Sequence, residues 1–252
     1  MTAYELQSHG EIAIEAPGLA PPRPRPRRRT PLSAFALIQL YMAAVVVAGF
    51  APSFYLKPAR VAAMDPAIHV HAGVMTLWIV FMAIQGVLPA RGRVRLHRTL
   101  GWWGAGLAAL VLITGAIITV KGVHDGHDPF RLGSAEAFAI IPVRDLVTFA
   151  VFLAIGLATR KSAPDAHKRM MTLATLSVIP AGLARLAAFT PEPVIVALNH
   201  APIAAMVAYD LWTRRRVLTS TWVGSAFLVV ATPVCLAIAR TETWLDLVRS
   251  LT

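Results

Sequence analysis

The sequence contains one cysteine, Cys235, among 252 residues. A single thiol forms no intrachain disulfide and supplies no multi-thiolate metal site. Charged residues are also scarce: they make up 15% of the chain, whereas apolar residues make up 56%. Since a soluble domain carries roughly 25% charged residues, this balance indicates a protein whose solvent is the lipid bilayer. The sequence also lacks a phosphate-binding glycine loop, a nucleophile elbow and a zinc-protease motif, which argues against those enzyme classes.

Long apolar stretches with few charges account for most of the chain. Such a stretch predicts a transmembrane helix, because about 20 helical residues cross a hydrocarbon core of roughly 30 Å. Backbone polar groups cannot stay unpaired in lipid, and the alternating pattern of a membrane barrel is absent, so we expect helices. The sequence therefore predicts an all-α bundle of seven transmembrane helices, at about 33–56, 67–90, 99–120, 137–159, 169–189, 192–213 and 219–239.

The net charge of +11 does not indicate a nucleic-acid partner, because the basic residues follow the predicted topology. Lys and Arg in short loops favour the cytoplasmic side of a membrane. We therefore expect a multi-pass protein of a bacterial inner membrane, with a cytoplasmic N-terminus and a periplasmic C-terminus. The basic clusters lie before the first span and in alternate loops, at 23–29, 91–98, 160–169 and 214–216.

Two short segments flank the predicted membrane domain, which we place at 31–240. Residues 1–30 carry acidic residues and no apolar core, so they are not expected to be a signal peptide. Their PPRPRPRRR stretch predicts a disordered cytoplasmic tail whose basic end contacts anionic lipid headgroups. Residues 241–252 place Trp244 and Leu251 on one helical face and predict a short amphipathic helix on the outer surface.

Several ionisable side chains are expected in the outer half of the membrane. Counting from the span ends at about 1.5 Å per residue places them at similar depths on four predicted spans. Ionisable groups within spans are costly and are usually paired or functional. They are His69, Arg144, Asp145, Arg185 and His200.

Two histidines compete for the interior face of the second predicted span. His69 and His71 are about 200° apart on a helix and therefore point to opposite faces. His69 shares its face with small residues such as Gly73, which are typical of helix–helix contacts. We expect His69 to face the interior and His71 to lie at headgroup level, with the reverse assignment left open.

Three interpretations of the outer-half cluster stay open. In the leading one, His69 and His200 ligate a b-type haem, Arg144 or Arg185 offsets its propionates, and the protein transfers electrons. In the second, Arg144, Asp145 and Arg185 line the polar cavity of a small transporter or permease for an anionic or protonated substrate. In the third, Arg144 pairs with Asp145 and the histidines hydrogen-bond to neighbours. The chain would then be a non-catalytic accessory subunit that binds a membrane partner or a second copy.

Four further histidines lie outside this cluster. His97 and His167 lie in the similar stretches RLHRTLG and DAHKRMM at the cytoplasmic boundary. Headgroup anchoring is the favoured role for both, with a second haem or a quinone headgroup as the alternative. The outer loop HDGHD brings His124 and His127 next to carboxylates. This is a weak motif for a divalent transition metal, and a solvated loop is the alternative.

A set of short motifs resembles a group of uncharacterised bacterial multi-span membrane proteins, whose domain is one of unknown function. The motifs are His69-x-x-x-Gly73, Gln85, LHRTLG at 96–101 and AHKRMM at 166–171. The resemblance covers about residues 67–190 and implies a bacterial inner-membrane protein. It implies no reaction and no catalytic residue, and His200 lies outside it.

Overall fold

The computed structural model describes residues 32–252, which form helices joined by short connections. The tail predicted at 1–30 lies outside the described residues. No strand occurs between residues 32 and 252, as the sequence predicts. The helices are α1 (Ala34–Phe50), extended by a π-helical turn (Ala51–Tyr55), α2 (Pro58–Ala62), α3 (Pro66–Ala90), α4 (Val94–His124), α5 (Ala135–Thr159), α6 (Pro164–Val178), α7 (Pro180–Leu186), α8 (Glu192–Arg214), α9 (Thr219–Ile238) and α10 (Glu242–Leu251).

Among the described residues, six helices are long and apolar enough to cross a membrane. Their outward faces carry large apolar side chains, among them Leu77, Ile113 and Val230, which are all more than half exposed. Such faces are stable in hydrocarbon and unstable in water. The chain therefore has the architecture of a multi-pass membrane protein. The six are α1 with its π-helical turn, α3, α4, α5, α8 and α9.

The fifth predicted span, 169–189, differs from the other six. The structure places two consecutive helices there, α6 and α7, which meet at Ile179. Pro180 has no backbone N–H to continue the helical hydrogen bonds, which accounts for the interruption. Neither helix is long and apolar enough to be counted as a span by itself. We call α6 and α7 together the central segment.

The central segment is the most enclosed part of the bundle. Between Arg169 and Ser177 every residue except Met171 is buried, and the surrounding helices are α1, α5, α8 and α9. Thr172, Thr175 and Ser177 donate hydrogen bonds to carbonyls of their own helix. These hydroxyls therefore do not need water or a second helix. A helix shielded from lipid on all sides does not have to be apolar, which explains its composition.

Contacts between helices define two ends of the bundle. At one end, which we call the Lys121 end, Lys121 forms an ion pair with Asp65 (N–O distance 3.2 Å) and Arg240 donates to the Leu132 carbonyl. At the other, the Asp165 end, Asp165 forms an ion pair with Arg214 (2.5 Å). The central segment begins at the Asp165 end. Its last turn lies at the Lys121 end, where Arg185 stacks on Phe50 of α1.

Side-chain caps fix where several helices begin. Ser33, Asp65, Ser134 and Thr241 each accept a hydrogen bond from a backbone N–H in the first turn of the helix that follows. Such caps satisfy donors that the first turn leaves unpaired. At Asp65 the N–H of Ala67, together with the Lys121 ammonium, lowers the pKa of the carboxyl below its ordinary value. Asp65 is therefore anionic and ties the start of α3 to the end of α4.

The C-terminal helix α10 packs on α5 at the Lys121 end. Val248 is buried there, and the Trp244 indole donates to the Glu136 carbonyl (2.8 Å). Leu247 and Leu251 stay exposed. Its amphipathic character matches the sequence prediction, and its place on the outer membrane surface stays a prediction.

A buried ion pair joins three helices near the Asp165 end. The side chains of Arg169 on α6 and Asp210 on α8 are both 0% exposed, and they form a direct ion pair. The hydroxyl of Thr221 on α9 accepts from Arg169 (2.8 Å) and donates to Asp210 (2.5 Å). The N–H of Leu218 also donates to Asp210 (3.1 Å). Because both charges are paired and hydrogen-bonded, their burial is tolerated.

Replacing Asp210 with Asn should destabilise the bundle strongly. The substitution keeps the side-chain shape but leaves the Arg169 guanidinium as an uncompensated buried charge, which typically costs about 3–5 kcal/mol. The measurement is the thermal midpoint of the purified chain in detergent.

Arg214→Gln is the matched control, since it removes the half-exposed partner of Asp165 at the same end. Exposed pairs contribute about 0–1 kcal/mol, so this variant should stay close to the wild type. Equal midpoints for Asp210→Asn and the wild type would show that the buried pair does not hold these helices together.

Candidate functional site

A cavity of about 550 Å³ lies at the Lys121 end. This volume is within the range of roughly 300–1,000 Å³ that is typical of small-molecule sites. Its wall is formed by the end of α1 and its π-helical turn, by α3, α4, α5 and the central segment, and by the loop that follows α4. The exposed Asp125 carboxylate belongs to that wall, so the cavity reaches the surface at the loops. The Asp165 end contributes no wall residue.

Most of the cavity wall is apolar. Phe50, Phe54 and Phe138 supply aromatic rings, and Met75 and Ile79 line it from α3. A few polar side chains interrupt this surface, which is the usual composition of a small-molecule pocket. They are Ser53, Tyr55, His71, Thr76, Thr119, Lys121, Asp125, His127, Asp145 and Arg185.

His71 has a defined hydrogen-bonding role in the cavity wall. Its Nδ1 lies 3.2 Å from the Thr114 hydroxyl oxygen. That hydroxyl donates its own hydrogen to the Leu110 carbonyl (2.7 Å), so it acts as the acceptor for Nδ1–H. A neutral imidazole has one donor and one acceptor nitrogen. The pairing with Thr114 therefore makes Nε2 an acceptor, ready to receive a proton or a hydrogen bond.

Asp145 contributes a carboxylate that is held by its neighbour in sequence. Arg144 donates to Asp145 Oδ1 from Nε (2.9 Å) and from a terminal nitrogen (2.5 Å). Its other terminal nitrogen donates to Thr232 of α9 (2.9 Å). Asp145 lines the cavity, whereas Arg144 does not. Arg144 thus fixes the carboxylate and joins α5 to α9.

Cationic groups lie at two places on the wall. The Arg185 guanidinium lies 4.1 Å from the centre of the Phe50 ring and donates to the Ala181 carbonyl (2.7 Å). A cation over an aromatic face is attracted by the ring electrons, which holds this guanidinium at the cavity. Lys121 forms ion pairs with Asp65 (3.2 Å) and Asp125 (3.0 Å), so two carboxylates offset its charge.

The structure does not bring the two proposed haem ligands to one site. His71 lines the cavity, whereas His69 and His200 do not. His69 is half-buried and its Nδ1 is enclosed, so its predicted interior position stays a prediction. His200 Nδ1 lies 2.8 Å from the Val196 carbonyl of its own helix. In the helix contacts, α3 packs on α1 and α4, whereas α8 packs on α1, α6, α7 and α9. The haem hypothesis stays an untested prediction that this arrangement does not support.

The carboxylates of the HDGHD loop already have structural roles. Asp125 pairs with Lys121, and Asp128 accepts from the N–H groups of Leu132 and Gly133 (both 2.9 Å). His124 is exposed at the end of α4, whereas the His127 ring lies against Phe138. Within residues 32–252, no group of three or more His, Cys, Asp or Glu side chains is arranged to hold a metal ion. Metal binding by His124 and His127 stays a prediction, as does the solvated loop.

His97 and His167, predicted to lie at the cytoplasmic boundary, meet at the Asp165 end. Their ring centres are 6.3 Å apart, and His167 Nδ1 lies 2.7 Å from the Gly156 carbonyl. Sequence reasoning missed Thr114 and Lys121 as parts of the cavity region. The sequence did contain a signal for them: Lys121 follows Thr114 by seven positions, and residues seven apart share a helix face.

Adjacent residues of α3 allow the cavity to be tested for water access. In a Cys235→Ser background, Thr76→Cys lines the cavity, whereas Leu77→Cys lies on the lipid-exposed face at nearly the same depth. A membrane-impermeant maleimide should label position 76 at least several-fold faster than position 77, because only the cavity side contains water. A lipid-soluble maleimide is the control for thiol reactivity. Equal labelling of both positions by the impermeant reagent would contradict a water-accessible cavity.

Comparison of the chain with family models, curated proteins and solved structures finds no match. The resemblance to the bacterial multi-span group therefore stays a prediction from short motifs. What the chain does must accordingly be inferred from its own residues.

Proposed function

We propose that this chain is a seven-span bacterial inner-membrane protein that binds a small amphipathic acid in the cavity and acts as a small transporter or permease. The observation that carries this proposal is the cavity of about 550 Å³ at the Lys121 end. Ion pairs close the opposite end. A substrate site accessible from one side at a time is the basis of alternating access.

The central segment is proposed as the seventh crossing. At about 1.5 Å per residue, its helices and their junction from 164 to 186 extend roughly 34 Å, enough to cross a core of about 30 Å. Arg169 lies near the Asp165 end, and Arg185 lies in the wall of the cavity at the Lys121 end. Neighbouring helices enclose its polar residues from Arg169 to Ser177, which removes the need for an apolar sequence there.

The proposed orientation follows from the two ends. The clusters at 91–98, 160–169 and 214–216 lie in the connections from α3 to α4, α5 to α6 and α8 to α9 and in the adjoining helix ends. These basic loops belong to the Asp165 end. Basic short loops favour the cytoplasm, so the cavity faces the periplasm. The N-terminus is then cytoplasmic and α10 is periplasmic.

The cavity wall favours an acid with an apolar body. Phe50, Phe54 and Phe138 provide an apolar surface of the kind that buries an aromatic or alkyl chain. The Arg185 guanidinium supplies positive charge and hydrogen-bond donors that suit a carboxylate. A planar, always charged guanidinium matches a carboxylate better than an amine would.

The closed end suggests how access could alternate. Arg169 on α6, Asp210 on α8 and Thr221 on α9 hold three helices together beneath the cavity. Access from the cytoplasm would require these contacts to separate. Under the proposed function, they form the inner barrier of a state that is open to the periplasm.

Ligand-induced stabilisation of the purified protein tests the proposed substrate class. Benzoate, octanoate and decanoate should raise the thermal midpoint, because binding only to the folded state stabilises it. Octylamine has a similar body with the opposite charge and should not. Arg185→Gln should weaken acid binding roughly tenfold, which corresponds to about 1.4 kcal/mol.

Arg249→Gln is the matched control at the same end, since Arg249 lies on α10 outside the cavity wall. It should bind the acids as the wild type does. Saturable uptake of the tightest acid into proteoliposomes then tests transport. No stabilisation by any acid, or equal binding in Arg185→Gln, would overturn the proposal.

The same preparation distinguishes the electron-transfer hypothesis. A b-type haem gives a Soret band and, after reduction, a sharp alpha band. If both bands are present and are lost in His200→Ala, the haem hypothesis gains support and the acid-binding proposal loses its priority. A colourless protein that binds the acids supports the proposal.

A further inference from the structure

The Gln85 side chain is a buried amide whose two polar atoms both lack a partner among residues 32–252. It is only 7% exposed and lies near the end of α3. Neither Oε1 nor Nε2 has a hydrogen-bond partner within the part of the chain that the structure describes. Buried polar atoms in proteins are nearly always hydrogen-bonded, to protein groups or to ordered water. The Gln85 amide therefore requires a small ligand that both donates and accepts.

Gln39 of α1 is a second buried amide, and only its oxygen lacks a partner among residues 32–252. Its side chain is 5% exposed, and its Nε2 donates to the hydroxyl of Thr172 on α6 (3.3 Å). Its Oε1 has no partner among residues 32–252. The side chain lies against Gly86: a Cβ placed on Gly86 would be 3.2 Å from Gln39 Cγ. Gln39 thus packs against α3 at the residue that follows Gln85 in the sequence.

Two imidazoles extend this group towards the Asp165 end. His97 lies within hydrogen-bonding reach of the Gln85 backbone, and its Nδ1 is buried with no partner in the described chain. The His167 ring centre is 6.3 Å from that of His97. His167 Nδ1 is already used by the Gly156 carbonyl (2.7 Å). Because a carbonyl accepts, this bond leaves Nε2 as the acceptor of the neutral ring.

The chemistry of the group selects water over other ligands. An amide with both atoms unpaired needs a molecule that donates and accepts, which water does. Arg98 lies beside His97 on the same helix, and His167 is the titratable group that faces it from α6, whereas Gln39 and Gln85 are neutral. A divalent cation would be repelled by this basic surrounding. Histidine is also the side chain that exchanges protons most readily near neutral pH.

We propose that Gln39, Gln85, His97, His167 and Thr172 form an internal hydrated site that exchanges protons with the water at the Asp165 end. A hydronium ion transfers one proton to His97 Nδ1, which gives a water molecule and an imidazolium. The imidazolium then returns a proton to water, so charge and atoms balance. The site lies outside the cavity and does not depend on the acid-binding function.

Water contact can be measured on the full chain in lipid nanodiscs. Water-edited solid-state NMR with ¹⁵N-labelled glutamine, histidine and tryptophan reports how fast magnetisation moves from water to each side chain. The Gln39 and Gln85 amides should be reached several-fold faster than the Trp78 indole. Trp78 is 0% exposed and packs on Phe149, and its Nε1 also lacks a described partner. An indole offers only one donor, whereas a buried water needs two to four polar partners, so Trp78 is the dry internal reference.

Proton exchange is read from the ring nitrogens of the same sample. The His97 ¹⁵N signals, assigned with His97→Gln, should change between neutral and protonated positions as the bulk pH is lowered from about 8 to about 5. Gln85→Leu should abolish or strongly reduce water transfer to His97 while the elution profile of the protein is unchanged. The proposal would be overturned if magnetisation from water reached the Gln85 amide as slowly as it reaches the Trp78 indole. It would also be overturned if the His97 signals did not respond to pH.

Discussion

Hydrocarbon offers no hydrogen-bond partner, and this constraint accounts for where the polar residues of the chain lie. The helices that face outwards present Leu, Ile and Val to the lipid. The most polar membrane-length segment, the central segment, is the one that other helices enclose. Arg169 is buried only because Asp210 and Thr221 pair with it. Enclosure thus converts a sequence that lipid would reject into the core of the bundle.

The two ends of the bundle have different chemistry, and the central segment connects them. At the Lys121 end, the cavity is surrounded by apolar rings and a few polar groups. His71, Asp145 and Arg185 are polar groups of its wall that can form hydrogen bonds with a ligand. At the Asp165 end, ion pairs hold α6, α8 and α9 together. Near this end, three buried amide atoms have no partner within residues 32–252, namely Oε1 of Gln39 on α1 and both Oε1 and Nε2 of Gln85 on α3. Binding is therefore proposed at one end, and closure and proton exchange at the other.

The sequence predicted most spans closely because apolar length is a local property. The span predicted at 67–90 is the helix Pro66–Ala90 in the structure, and the span predicted at 137–159 is the helix Ala135–Thr159. Pairing across the bundle is not local: Arg169 was placed in a basic loop cluster, and its partner Asp210 is 41 positions away. Likewise His69 and His71 lie on opposite faces of one helix, and only the packing of α4 and α7 shows which of them borders the cavity. Asp145 and Arg185 were predicted as site residues, whereas Lys121 and Thr114 were not.

The central claim is that the central segment crosses the membrane within the bundle. It is tested most directly by single cysteines at its two flanks, Ser162→Cys and Phe189→Cys, in a Cys235→Ser background. Both positions are exposed. The account predicts that an impermeant maleimide labels position 189 in intact spheroplasts and position 162 only after permeabilisation. Labelling of both positions from the same side would contradict the crossing.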